Sequence, residues 1–398
     1  VILSELNLKN FRNYEEEIVK FGSRVNYIYG NNGQGKTNLL EAISFLTQGK
    51  SFVGSSETDA LKFGANEFLI NGIFLSETKT SVSISLSYST LSKSKAFFIN
   101  KEKISNFFSN FWGKFPIVFF NPHSFNITYG TPGERRKFFD LLISQVSKVY
   151  LEQLRNLGKL LKLKSTLLRD RFNYRTSEFE MLLSSYNETL ISYSVEIILK
   201  RIEVLNEFKN FFELNFQALT GGTQKAEISY YSNIFRTNTL DILELSSNQQ
   251  NARQLITKFL SESLYDKKEE EIRRGLSLIG PHRDDYVFKI IKNKFSHGYD
   301  LKNYASQGEH RTFIIALKLT ENDYLKQKLD KNIILLFDDI LSELDITRIE
   351  QLIKHLDSFE QVFITTTDKH HLELLYSYYK REEIKTFFVK EGRVYEEN

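Results

Sequence analysis

Residues Val25–Tyr29 (VNYIY) are a short β-branched and aromatic run, the pattern of a buried strand. They lead straight into Gly30-Asn31-Asn32-Gly33-Gln34-Gly35-Lys36-Thr37. Leu39, Leu40, Ile43 and Leu46 follow at helical spacing. Strand, glycine loop and helix in this order are the context in which G-x-x-x-x-G-K-[ST] binds phosphate. Glycines let the backbone curl until successive N–H groups point inward, and the helix N-terminus adds a favourable dipole. Gly30, Asn31, Asn32, Gly33, Gln34 and Gly35 would supply those donors. Lys36 would neutralise phosphate charge as a compact cation, and the Thr37 hydroxyl would ligate Mg²⁺. A strand that ends in such a loop belongs to a largely parallel sheet covered by helices, so the fold class is α/β.

A second candidate site lies three hundred residues on. Asn332–Phe337 (NIILLF) reads as a strand buried on both faces, and it ends in Asp338-Asp339. An apolar strand whose carboxyl end carries acids opens into a ligand crevice in an α/β sheet. Asp338 would hold Mg²⁺, and Asp339 would orient or deprotonate the attacking water. Taken alone, the same residues describe a solvated acidic turn. Gln361–Asp368 (QVFITTTD) is another apolar strand, ending in hydroxyls and expected beside the first. Between the two sites, Tyr304–Arg311 (YASQGEHR) enters a helix, with Ser306 and Glu309 at the spacing of a capping box. It is either an ordinary helix start or a second phosphate contact through Ser306, Gln307 and the Gly308 N–H.

Together, Leu8–Tyr14 (LKNFRNY), Gly133–Asp140 (GERRKFFD), Gly280–Asp285 (GPHRDD), Tyr304–Arg311, Leu335–Asp345 (LLFDDILSELD) and Ile364–Asp368 (ITTTD) resemble the RecF family of DNA replication and repair proteins. These are ATP-binding-cassette-type ATPases related to SMC-type heads. The resemblance implies an ABC-type head with an inserted helical arm, ATP and Mg²⁺ as cofactors, and an ATP-dependent homodimer. In such a dimer Ser306, Gln307 and Gly308 would touch the γ-phosphate bound by the partner subunit's Lys36, and Asp345 would lie along the seam. Arg12 in the FRNY block is implied as a phosphate contact, and Lys36 and Asp339 as the catalytic residues of a slow ATPase. Also implied are binding of single- and double-stranded DNA at gaps, loading of recombinase with a RecR-type mediator, and a part in the SOS response. Asp339 stands where transporter-type cassettes carry Glu, and the glutamine that many cassettes place between lobes has no clear counterpart near Phe120–Ser124.

A formal charge of +3 hides a division along the chain. Lys148–Arg175 holds eight bases and two acids, whereas Glu321–Glu360 holds ten acids and five bases, so the two stretches largely cancel. On a helical wheel Lys148, Arg155, Lys159, Lys162 and Arg169 share one arc, with Tyr150, Leu154, Leu157, Leu161 and Leu168 elsewhere. Such a rail suits DNA phosphates, with Arg155, Lys159, Lys162 and Arg169 as the expected contacts. A solvated helix face is the plainer reading. The aromatics are read differently: Phe107, Phe108, Phe111, Trp112 and Phe115 repeat as one buried helix face would, so they are expected in the core rather than as a stacking surface.

The chain lacks cysteine, which excludes a disulfide scaffold, a thiol nucleophile and a Cys-based zinc finger. No segment approaches the ~18 apolar residues of a membrane span and no signal-peptide pattern opens the sequence, so a cytoplasmic protein is expected. The two phosphate motifs at opposite ends of the chain predict one lobe built from 1–124 and 276–398, with a helical arm at 125–275. Two other functions stay open at this point: the ATPase subunit of a membrane transporter, and a scaffold that holds ATP without significant turnover.

Overall fold

The computed structural model describes residues 2–52, 54–75, 80–105, 111–235, 249–292, 298–331 and 333–397. Two compact units are present: residues 1–125 with 314–398, and residues 126–313. The strands, in chain order, are β1 (Ile2–Phe11), β2 (Tyr14–Lys20), β3 (Val25–Tyr29), β4 (Glu67–Leu75), β5 (Ser81–Ser89), β6 (Ser94–Ile99), β7 (Glu102–Ile104) and β8 (Ile117–Phe120). They continue as β9 (Gln224–Tyr231), β10 (Asp285–Lys292), β11 (Tyr299–Asp300), β12 (Ile334–Asp338), β13 (Gln361–Thr366), β14 (Ile384–Lys390) and β15 (Arg393–Glu397).

The first unit is a sandwich of two sheets around one helix. One sheet has the order β2-β1-β4-β5-β6-β7 and is antiparallel. The other runs β15-β14-β3-β13-β12-β8, parallel from β14 to β8, with β15 as an antiparallel edge. Every residue of β12 and β13 is buried, which is why both read as continuous apolar runs. β4 instead alternates, one face inward. The helix Lys36–Gln48 contacts β4 and β5 of one sheet and β12 and β13 of the other. Leu39, Leu40, Ile43 and Leu46 are fully buried there, and Phe45 meets Phe11 edge-on at 5.8 Å.

Helices dominate the second unit. Pro132–Val146, Lys148–Arg169, Thr176–Thr220 and Gln249–Arg274 pack with the antiparallel sheet β11-β10-β9. On Thr176–Thr220, Phe179, Leu183, Leu190, Ile197, Val204, Phe208, Phe212 and Phe216 are buried at intervals of four or seven residues, a stripe that follows the helical period.

Several expectations need correction. The middle of the chain is not all helix, because Gln224–Tyr231 forms β9 and pairs with β10 along its whole length. Residues 276–313, expected with the ATPase lobe, belong to the helical unit, and the division falls inside the helix Gln307–Leu329. Phe111 and Trp112 are buried, but residues 111–115 are turns rather than a helix, and Phe107 and Phe108 lie outside the described residues.

Candidate functional site

In the parallel sheet β13 separates β3 from β12, so the glycine loop after β3 and the acids after β12 flank one strand at its carboxyl end. The loop leaves β3 with Gly30 at φ 152° and enters the helix through Gly35 at φ 116°, a conformation L side chains rarely adopt. Space forbids a side chain as well: a Cβ on Gly35 would stand 2.6 Å from Asn13 Nδ2 and 2.9 Å from the Tyr14 hydroxyl. Those two residues brace the loop. Asn13 Nδ2 donates to the Gln34 carbonyl at 2.7 Å, and the buried Tyr14 hydroxyl donates to the Gly35 carbonyl at 2.9 Å. From the β14–β15 turn, the Glu391 N–H donates to Gln34 Oε1 at 2.7 Å, so the Gln34 side chain helps to anchor the loop.

Lys36 is buried and donates to the Gly30 and Asn31 carbonyls at 2.7 and 2.9 Å. Burial pushes its pKa down, against the pull of Asp339 and Asp338. No side chain caps the Lys36–Gln48 helix, which leaves its first N–H groups facing the loop as at an anion-binding N-terminus. The Thr37 hydroxyl donates to Asp338 Oδ1 at 2.7 Å, and the Thr365 hydroxyl donates to the same oxygen at 2.8 Å. Residues from three distant segments thus meet at one carboxylate. Burial raises the Asp338 pKa despite both hydroxyls. A hydroxyl and a carboxylate converging in this way are hard oxygen donors suited to Mg²⁺, which takes one or two protein carboxylates and completes its shell with phosphate and water.

Asp339 turns sharply out of β12 at φ 50°, and its N–H donates to the Thr365 carbonyl at 3.1 Å. Half-buried, it has a raised pKa, burial outweighing the attraction of Lys36. Arg12 lies beside the loop helix. Its guanidinium grips Glu41 through Nε and Nη2, both at 2.7 Å, and also bonds Ser55 and the Asp59 carbonyl, so it braces the loop helix. The FRNY block therefore supports the loop through three consecutive residues. Sequence reasoning missed Asn13, Tyr14 and Glu41 as supports; the only signal was that polar residues follow Phe11 at the end of a strand.

In the second unit Ser306 and Glu309 form the expected capping box. The Ser306 N–H donates to Glu309 Oε2 at 2.8 Å, and the Glu309 N–H to Ser306 Oγ at 3.3 Å. Lys292 and Tyr299 hold the other Glu309 oxygen at 2.6 and 2.7 Å, and its pKa falls to about 2 because these bonds outweigh burial. Ser306 and Gln307 are exposed, and Gly308 is half-buried. On the helix Lys148–Arg169 of the same unit, Lys148, Arg155, Lys159, Lys162 and Arg169 are all exposed. Lys164 is not part of the rail: it is buried and pairs with Glu271 at 2.7 Å. In the first unit Asp345 caps the helix Ile346–His355 by accepting from the Arg348 N–H at 3.1 Å.

The family model for the RecF/RecN/SMC N terminal domain matches residues 2–392. A DNA replication and repair protein RecF of Chloroherpeton thalassium is 36% identical over 375 residues, covering 92% of this chain and 95% of that protein. Its counterpart in Streptococcus suis is 32% identical over 396 residues, 99% of each. Among solved structures, the recombination mediator protein RecF-ATP in the RecFOR pathway superposes with a TM-score of 0.81 at 31% identity, covering 100% of this chain and 99% of that one. An SMC head bound to the C-winged helix domain of ScpA shares the fold alone, at 14% identity and a TM-score of 0.56. A phosphate-binding loop joined to a buried strand-end carboxylate, on a chain matched from end to end, makes this protein a member of the RecF family of DNA replication and repair proteins, with the ABC-type ATPase fold shared by SMC heads.

Proposed function

We propose that this protein is an ATP-gated DNA clamp of recombinational repair and replication: an ATP-dependent homodimer that binds DNA at single-strand gaps and releases it on hydrolysis. The observation that carries the reading is the Thr37–Asp338 hydrogen bond at 2.7 Å, which unites the glycine loop and the acidic strand end across three hundred residues. Backbone N–H groups of Gly30–Gly35 receive the β- and γ-phosphates, and Lys36 exchanges its bonds to the loop carbonyls for phosphate oxygens. Thr37 and Asp338 would hold Mg²⁺, which would supply positive charge to offset that of the phosphates. Asp339, with its raised pKa, orients a water and takes its proton. Ser306, Gln307 and Gly308 reach the nucleotide of the partner subunit, with Ser306 held by Glu309. Arg155, Lys159, Lys162 and Arg169 take DNA phosphates.

The finer parts of this reading are a RecR-type mediator as partner, loading of recombinase, and involvement in the SOS response. Family membership favours it over the ATPase subunit of a membrane transporter, and no helix among the described residues is long and apolar enough to cross a membrane. Sedimentation of the full chain with and without ATP and gapped DNA tests nucleotide, dimer and DNA together. A dimer formed only with ATP, and DNA co-sedimenting only with that dimer, is the expected result. A monomer under all conditions overturns the clamp. Bound ATP with no significant turnover, in the presence or absence of DNA, would favour an ATP-liganded scaffold instead.

A further inference from the structure

The helices Lys148–Arg169 and Thr176–Thr220 are joined by residues 170–175, whose centre is a single 3-10 turn, Arg171–Asn173. The turn is held by its own backbone: the Asp170, Asn173 and Tyr174 N–H groups donate to Thr166, Asp170 and Arg171 carbonyls at 2.9, 2.9 and 3.2 Å. Beneath it Leu167, Leu168, Phe179 and Leu183 form a buried cluster, with Tyr174 and Ile272 packed against it. A closed core thus supports an ordered tip. On that tip the Phe172 ring is 95% exposed. The Arg171 guanidinium carbon stands 6.0 Å from the Phe172 ring centre and 5.9 Å from that of Phe179, linking the exposed ring to the buried one.

An exposed apolar side chain is common and by itself means nothing. The surroundings of Phe172 make the difference. Arg169, Arg171 and Arg175, all exposed, lie within seven residues, against one carboxylate, Asp170. Arg169 packs over Gly275, at the end of the helix Gln249–Arg274, where a Cβ would stand 2.6 Å from Arg169 Cγ. We propose that this tip is a stacking site for an unpaired nucleobase, with the Phe172 ring as the platform and Arg169, Arg171 and Arg175 as contacts for the flanking phosphates.

The chemistry selects this occupant. A single ring on a convex turn offers far less than the ~800 Å² per partner of a stable protein interface. It offers the full face of one aromatic, which is what one base covers, and cationic planes beside it suit phosphate and base alike. Paired bases hide their faces inside the duplex, so the ligand is single-stranded. The inference rests on the DNA-binding reading above and refines it. At about 1.5 Å per residue, Arg155 lies ~25 Å from the tip, a span of about seven base pairs at 3.4 Å each. Duplex phosphates along the rail and an unpaired base at the tip would together mark the edge of a gap.

The test uses the full chain with three DNAs: a thymidine-rich single strand, a duplex and a gapped duplex. Phe172→Ala, at an exposed position, should melt like the wild type. It should bind the single strand and the gapped DNA about fivefold to a hundredfold more weakly at unchanged duplex affinity. Phe172→Trp should keep wild-type affinity, and single-stranded DNA should quench its emission whereas duplex should not, over the constant signal of the buried Trp112. Three results overturn the stacking site while leaving the DNA clamp standing: equal binding of all three DNAs by Phe172→Ala and wild type, equal weakening on all three, or unquenched indole emission from a Phe172→Trp chain that binds gapped DNA. A wild-type chain that binds none of the three overturns both.

Discussion

Asp339 follows the fully buried β12 with a positive φ of 50° and an N–H tied to Thr365, so the backbone aims its carboxylate, which the Ser342 hydroxyl meets at 3.5 Å. Aspartate tolerates that left-handed geometry better than most residues. Asn fits the same geometry but cannot accept a proton. Asp339→Asn should therefore lower ATP hydrolysis by about 10²- to 10⁴-fold while ATP-dependent dimerisation survives, measured by phosphate release beside sedimentation. Wild-type hydrolysis in the variant would remove Asp339 from the chemistry. Lys36, Thr37, Asp338 and Asp339 were legible in the sequence because each lies within a contiguous pattern whose chemistry names it. Asn13, Tyr14 and Glu41 were not, because their task is to hold a loop folded from elsewhere in the chain, and such a contact leaves no local spacing. Arg12 stands in a block the sequence displays, but its pairing with Glu41 is brought about only by packing.

At the scale of elements, the GPHRDD turn ties β10 to two helices, Pro132–Val146 through Arg135 and Arg136 and Thr176–Thr220 through Arg201. Arg201, fully buried on the helix Thr176–Thr220, bonds Asp140 at 2.9 Å and the Pro281 carbonyl at 2.8 Å, and Asp284 accepts from Tyr230 and Ser232. Burial raises Asp284 to about 6 although Arg201 and Arg136 face it. Burial, with Arg283, Arg136 and Lys164 nearby, lowers His282 to about 4 although its Nε2 lies 3.2 Å from the Ser277 carbonyl. The two shifts act oppositely on stability. Between about pH 4 and 6 folded Asp284 keeps a proton that the unfolded chain releases, so its contribution falls as pH rises. Between about pH 4 and 6.5 the unfolded chain protonates His282 and the folded one does not, so that contribution rises with pH. In the wild type they nearly offset. Asp284→Asn should gain about 3 kcal/mol of stability from pH 4 to 6.5 relative to the wild-type profile, and His282→Asn should lose a similar amount, read from urea midpoints against pH. Parallel profiles in all three proteins would show that neither group titrates in this window. The sequence displayed this motif but not its work, since Arg201, Asp140 and Tyr230 are brought to it only by packing.

Over the whole molecule, the separation of charge along the chain is what the +3 total conceals. The fold refines that separation. Lys164 counts among the bases of the Lys148–Arg175 stretch but lies off the rail's arc, and there Glu271 claims it in a buried pair across more than a hundred residues. The helical unit likewise takes in β9, β10 and residues 276–313, whose short strands lack the long apolar runs that gave β3, β12 and β13 away. Arg155, Lys159 and Lys162 remain exposed on one helix, and each phosphate they neutralise releases counterions. Replacing all three with Ala should lower the magnitude of the log K against log[salt] slope for duplex DNA by about two to three, whereas Phe172→Ala should leave it unchanged. Lys164→Ala should leave the slope intact and instead destabilise the helical unit by about 3–5 kcal/mol, because Glu271 would be buried without its partner. An unchanged slope in the triple variant would mean that the rail faces something other than DNA. A slope that falls in Lys164→Ala, with the protein still folded, would place the DNA on the inner side of the helix.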